Sequence, residues 1–436
     1  MWQVMRHPIF GRLFAAQVVA LLGTGLLTVA LGLLAFDLAG ADAARVLGTA
    51  YTIKMVAYVG LSPVISALVV HVPRRAVLII ADILRATVAL TLPFISEVWQ
   101  IYLAIFLLQT ASASFTPTFQ ATIPDVIKDE DDYAKALSLS RLAYDLESLI
   151  SPTLAALLLT VLSYHWLFGG TVVGFLLSAL LILTVTLPKR AKAQERPFRE
   201  RLTRGIRIYL ATPRLRGLLS VTLTAAAASA FVIVNTVVVV KMGFAGTDGD
   251  VALALAAFGG GSMLAAFALP GVLKALGDRP VMLWGAALLT AVMFFEAAVS
   301  PGWILFLALW ALTGMGYAAT VTPQGRLLRR STHAEDRTAI FAAQFALSHA
   351  CWLITYPLAG VLMTLYGAQV TMAVFGVIGL VGLLVAMRVW PEGDPVVLTH
   401  SHDDLPADHP HVRDHGRRHA HPFVIDDAHD HWPTRG

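Results

Sequence analysis

The sequence predicts an all-α membrane protein, with twelve transmembrane helices in two six-helix halves and a disordered, histidine-rich tail. Three observations predict it. Apolar residues make up 57% of the 436 positions and charged residues 14%, with a mean hydropathy of +0.70. A soluble chain of this length needs more charge to cover its surface. The apolar residues gather in runs of about 20, the length that crosses a bilayer. From Pro391 onward that character collapses, and nine of the 14 histidines crowd into the remaining residues.

The first run, near 13–36, is too long for the core of a signal peptide and reads as a retained span. Further spans fall near 46–70, 76–95, 99–118, 136–160 and 165–187. A second set lies near 216–240, 251–274, 280–299, 303–323, 338–364 and 367–390. The domain division follows: an N-terminal half over 1–187, a basic linker over 188–215, a C-terminal half over 216–390 and a tail over 391–436. The single cysteine, Cys351, excludes a disulfide framework.

Basic residues set the orientation. Alternate loops carry Arg74 and Arg75, Lys128 and Lys135, Lys274 and Arg279, then Arg326, Arg329, Arg330 and Arg337, and the linker adds nine more from Lys189 to Arg214. The opposite loops are nearly devoid of them, with Arg45 and Lys241 as exceptions. The positive-inside rule therefore predicts both termini in the cytoplasm of a bacterial inner membrane. It also accounts for the net charge of +4 without any nucleic-acid partner. Membrane lipid is the expected partner of a monomer.

The two halves read as a tandem repeat. Phe115-Thr116-Pro117 closing the fourth span parallels Val321-Thr322-Pro323 closing the tenth, and Ser151-Pro152 parallels Tyr356-Pro357. Such halves place a transported substrate between them near the bilayer midplane.

On these features the chain resembles the major facilitator superfamily over residues 1–390. The loop Ser66 to Arg75 is similar to that family's glycine–aspartate–arginine loop, keeping the arginine pair but departing at Ser66 and Val70. The stretch Phe115 to Asp125 and the Asp82…Arg85 element resemble the branch holding siderophore and metal exporters. Ala136 to Glu147, together with the tail, resembles nickel-resistance permeases. The resemblance implies proton-coupled efflux of divalent nickel, with cobalt as a second cargo, conferring metal resistance.

Ionisable side chains inside a membrane cost at least a few kcal/mol and are candidates for transport or proton coupling. Asp145 and Glu147 lie in the fifth span, and Arg141 stands four residues before Asp145, on the same helix face. The matching eleventh span carries His349 and Cys351, which with a carboxylate make a ligand set that a borderline divalent metal accepts. Asp82 and Arg85, three residues apart, read as a structural ion pair. Asn235 and Glu296 are further candidates, and Lys54 in the second span can either snorkel to the interface or neutralise a carboxylate across the bundle. The metal-ligating residues expected in the tail are His400, His402, His409, His411, His415, His419, His421, His429 and His431. No phosphate-binding motif is present, so the chain is expected to be neither an enzyme nor dependent on a resident cofactor, with nickel as substrate and tail ligand. Two other readings stay open. One is an exporter of a siderophore or drug-like molecule with a metal-buffering tail, and the other is a membrane metal sensor.

Overall fold

The computed structural model describes residues 2–61, 72–187, 198–333, 337–393, 397–402, 410–426, 429 and 431–433. Its helices are α1 (Trp2–Met5), α2 (Pro8–Ala39), α3 (Ala43–Val56), α4 (Arg74–Thr91), α5 (Val98–Val126), α6 (Glu130–Leu159) and α7 (His165–Leu183). After the linker come α8 (Phe198–Ala211), α9 (Pro213–Val238), α10 (Asp248–Leu276), α11 (Asp278–Ala298), α12 (Trp303–Val321), α13 (Gln324–Arg330) and α14 (Arg337–Val389). The tail adds β1 (Val397–Ser401), α15 (Pro410–His415) and β2 (Arg418–Pro422).

Local chemistry sets the ends. His7 caps α2, whose first residue, Pro8, has no N–H to satisfy. Reciprocal capping boxes start α5 at Glu97 with Gln100 and α10 at Thr247 with Asp250. The 53 residues of α14 hold two crossings, because Gly367 turns the chain at φ 77, a conformation that glycine adopts without steric cost.

Among the described residues nine runs are long and apolar enough to cross a membrane, and two of them, Pro8–Gly60 and Ala343–Val389, each cross twice. The remaining crossing is α6, whose later part, Ile150–Leu159, is apolar and whose first turns carry Glu130, Asp131, Asp132 and Lys135. The count is twelve. The linker is not featureless, since α8 lies within it and buries Ile208 and Tyr209.

The cores show how the halves meet. One large cluster takes residues from both halves: the later part of α2, the start of α3, the later part of α9 and Tyr356 and Ala359 of α14. These lie toward the face opposite the termini. Toward the face bearing the termini, two separate clusters replace it. One belongs to the N-terminal half, around Phe10, Phe119 and Ile182, and the other to the C-terminal half, around Tyr209, Met282 and Trp390. The halves are therefore joined on one side, through α3 against α14 and α6 against α10, while on the other their cores, among the described residues, are separate. Gly48 makes the first contact possible: a Cβ there would sit 2.7 Å from the Tyr356 carbonyl oxygen and 3.0 Å from the Gly360 Cα.

The tail corrects the expectation of disorder. β1 and β2 pair antiparallel, with His400 opposite His419. Phe423 and Ile425 are buried in the inner core of the C-terminal half, with Leu398 and Trp432 packed against it. Averaged composition hides these few apolar residues, and they suffice because they dock on a surface that already exists.

If the basic-loop orientation holds, a reporter active only in the cytoplasm should work when fused at Glu392 and fail when fused between Gly246 and Asp250. The reverse pattern would invert the topology.

Candidate functional site

Between the halves the described residues bring a carboxylate and an ammonium from two different spans within electrostatic reach of each other. Glu147 sits in the middle of α6, not at its start, because that helix begins at Glu130. It lies within electrostatic reach of Lys54 on α3, and of Tyr51 and Tyr58 on the same strand of chain. Both charged side chains are partly buried. In a low-dielectric interior each lowers the cost of the other, which gives Lys54 the cross-bundle carboxylate that its position requires.

Aromatic rings surround the pair. Tyr51 stacks on Tyr356 at 5.1 Å between ring centroids, which ties the two halves together above the charges. Below it, α3 passes into a π turn over Ala57–Leu61 that carries Tyr58. A turn of this kind re-aims side chains and recurs at functional sites. Tyr58 meets Phe345 and His349 edge-on at 6.2 and 5.7 Å, and Trp352 lies 5.9 Å from His349. The Nδ1–H of His349 donates to the Phe345 carbonyl at 2.7 Å, which leaves Nε2 with the lone pair. Lys54 is also within electrostatic reach of this ring.

The other candidates are distributed differently. Arg141 and Asp145 lie on α6, but their side chains fall outside the described residues, as does Ser66 to His71 of the arginine loop. Cys351 does not join His349. It is buried toward Tyr209 of α8 and bonded to the Leu347 carbonyl, because residues two apart on a helix point about 160° apart. Asn235 is buried where α9 crosses α14 and donates to Ala359 O at 3.4 Å. Glu296 is buried late in α11, and its Oε1 has no hydrogen-bond partner among the described residues. Arg85 forms a buried ion pair with Asp82, which also accepts from Ser178 at 2.7 Å. The Arg85 guanidinium is held between Phe115 and Phe175, 4.3 and 4.5 Å from their centroids.

This last arrangement is structural, and removing one member leaves a buried charge alone. Arg85→Met is expected to destabilise the protein by about 3–5 kcal/mol, seen as a lower Tm in detergent. Asp82→Leu combined with Arg85→Met should recover most of that loss. An unchanged Tm in the single variant would remove the pair from the structural frame.

The tail histidines form a second cluster. Two overlapping groups, His400 with His419 and His421, and His400 with His402 and His429, each bring their ligand atoms within 4.8 Å of one another. Burial and the surrounding imidazoles hold the His400 pKa down to about 4, so its ring is neutral at physiological pH. His431 is exposed, His409 lies outside the described residues, and His411 and His415 are on α15 with side chains outside them.

The sequence reading missed the aromatic lining. Its signal was present: Tyr51, Lys54 and Tyr58 recur at three and four residues, and Phe345, His349, Trp352 and Tyr356 at four, three and four, which is one helix face in each case.

Comparison with known proteins places these features. The family description "Major Facilitator Superfamily" matches residues 13–246 and 217–411. Macrolide efflux protein A of Streptococcus pyogenes is 25% identical over 185 residues, covering 41% of this chain and 45% of that protein. The macrolide efflux protein A of Enterococcus faecalis is 26% identical over 137 residues, covering 30% of this chain and 42% of that protein. The chain thus spans less than half the length of these curated relatives. Among solved structures, a bacterial homologue of the human lysosomal transporter Spinster, inward-facing and unoccupied, superposes with a TM-score of 0.66 at 12% identity, covering 87% of this chain and 96% of that one. The nucleoside transporter NupG gives 0.65 at 13%, covering 87% and 98%. At such identities the structures show a shared fold. With the family match extending over both halves, this chain belongs to the major facilitator superfamily and has its multi-pass membrane fold.

Proposed function

We propose that this transporter exports a small organic molecule from the cytoplasm in exchange for protons, with Glu147 as the exchanging carboxylate. The observation that carries the reading is the electrostatic coupling of Lys54 and Glu147 among aromatic rings contributed by both halves. A carboxylate facing an ammonium can take a proton or a cationic group of the substrate, and the rings offer flat apolar surface for an organic body. The cores of the two halves are separate on the side of the termini, the side that the positive-inside rule predicts to be cytoplasmic. The relatives named for macrolide efflux support the same class. Each proton entering across 100 mV contributes about 2.3 kcal/mol.

A second reading, proton-coupled efflux of divalent nickel with cobalt as a second cargo, is favoured by the imidazole cluster in the tail. Within the described residues of the spans, however, no three ligating side chains come together, and Cys351 faces away from His349. Accumulation assays separate the two. Expression is expected to lower cellular retention of a macrolide or a cationic dye while leaving nickel content unchanged. Lowered nickel content with raised nickel tolerance and unchanged dye retention would overturn the organic-substrate reading in favour of the second.

A further inference from the structure

We propose that the tail carries a folded binding centre for a borderline divalent transition-metal cation, built by His400 of the first strand, His402 just after it, His419 and His421 of the second strand, and His429. This goes beyond the transport reading and does not depend on it.

The hairpin makes the cluster. In a strand, residues i and i+2 share a face, so each His-x-His pair offers two rings to the same side. The register sets His400 directly opposite His419, and His429 returns over them from the chain beyond β2. His400 is the hub, with ring centroids 4.6 to 4.9 Å from those of the other four.

The tautomers point the same way. The Nδ1 atoms of His400, His419 and His421 face the carbonyls of Leu398, Gly416 and Pro422 at 3.1, 2.8 and 2.9 Å. A carbonyl only accepts, so these nitrogens carry the hydrogens and Nε2 keeps the lone pair. His429 is held likewise by the Asp426 carboxylate, 2.8 Å from its Nδ1. Backbone carbonyls and carboxylates in this role are the usual means of orienting imidazole ligands. The consequence is visible at the centre, where the Nε2 atoms of His400 and His429 stand 3.1 Å apart. A proton or a metal cation shared between the two nitrogens accounts for that distance. Two nitrogens each bound at about 2.0–2.1 Å to one metal lie roughly 3.0–3.4 Å apart. An all-imidazole set selects nickel, cobalt, zinc or copper(II) over magnesium or calcium.

The centre is also placed. Phe423, two residues beyond His421, has its ring 4.9 Å from that of His400 and is buried in the inner core of the C-terminal half. His333, on the loop before α14, pairs with the same Asp426 that orients His429. Metal binding and docking of the hairpin on the transporter therefore favour each other.

The test titrates the purified full chain in detergent with cobalt(II) chloride, read by visible absorption, and with nickel(II), read by calorimetry. One saturable site with imidazole-type cobalt bands is expected. His400→Gln and His429→Gln should each weaken binding at least tenfold, and His165→Gln, at the far end of the molecule, should leave it unchanged. Phe423→Ser keeps every imidazole but undocks the hairpin, and it should also weaken binding at least tenfold. Gel filtration and circular dichroism confirm that each variant is folded. Hydrogen exchange at residues 397–402 and 418–425 should slow on metal addition. Several weak, equivalent sites that survive both His400→Gln and Phe423→Ser would overturn the folded centre and leave a flexible collecting tract. A failure here leaves dye and macrolide export untouched, and loss of export leaves this titration untouched.

Discussion

Glu147→Gln is expected to abolish uphill export while leaving downhill substrate movement. A proton entering down one pH unit and 100 mV releases about 3.7 kcal/mol, which supports a concentration ratio of roughly 500-fold for one proton per substrate. A neutral amide cannot carry that proton, so the ratio should fall to near unity in inverted vesicles. The same change leaves Lys54 without its countercharge inside the membrane, a cost of several kcal/mol that lowers protein abundance. Lys54→Gln combined with Glu147→Gln removes both charges and should restore abundance without restoring coupling. Retained accumulation in Glu147→Gln at normal abundance would take that carboxylate out of the proton path.

Gly48→Leu is expected to reverse which side of the molecule is open. A Cβ at this position already meets the Tyr356 carbonyl oxygen and the Gly360 Cα, so a larger side chain must push α3 away from α14. Overpacking of this kind costs about 1–3 kcal/mol, and it is paid only in the state where the two helices touch. A bias of 2 kcal/mol moves a two-state population by roughly 30-fold. Export should drop at least tenfold. With Cys351 replaced by Ser and a cysteine at Ile53, a membrane-impermeant maleimide applied from the side opposite the termini should react about tenfold faster. Gly325→Leu, where a Cβ meets open space, should change neither quantity. Unchanged labelling and export in Gly48→Leu would mean that the contact does not gate access.

The frame was legible in the sequence because one force dominates it. In hydrocarbon every backbone polar group must be satisfied internally, so apolar runs of sufficient length become helices whatever their neighbours. The spans consequently appear where the runs lie, and their ends shift by a few residues where caps such as His7 and Thr247 intervene. The site was less legible. Lys54 and Glu147 are 93 positions apart, and only the bundle, in which α3 and α6 both pack against α2, brings them within electrostatic reach. Expecting His349 and Cys351 to converge followed the repeat offset and ignored the helical turn between them. The tail misled through averaging: its mean composition is that of an unfolded tract, while Phe423, Ile425 and Trp432 dock on a surface the tail does not supply. The period of two in His400/His402 and His419/His421 is itself a strand signal, which composition alone does not use.

The central claim, that the Lys54–Glu147 pair exchanges protons for an organic substrate, is tested most directly in liposomes containing the purified protein and a trapped pH-sensitive dye. A gradient of a macrolide or a cationic fluorophore is applied, and in parallel a gradient of nickel(II). The account predicts that an organic gradient drives proton movement in the opposite direction, that Glu147→Gln abolishes it, and that nickel moves no protons. Proton movement driven by nickel alone, with neither organic probe producing any, would contradict it.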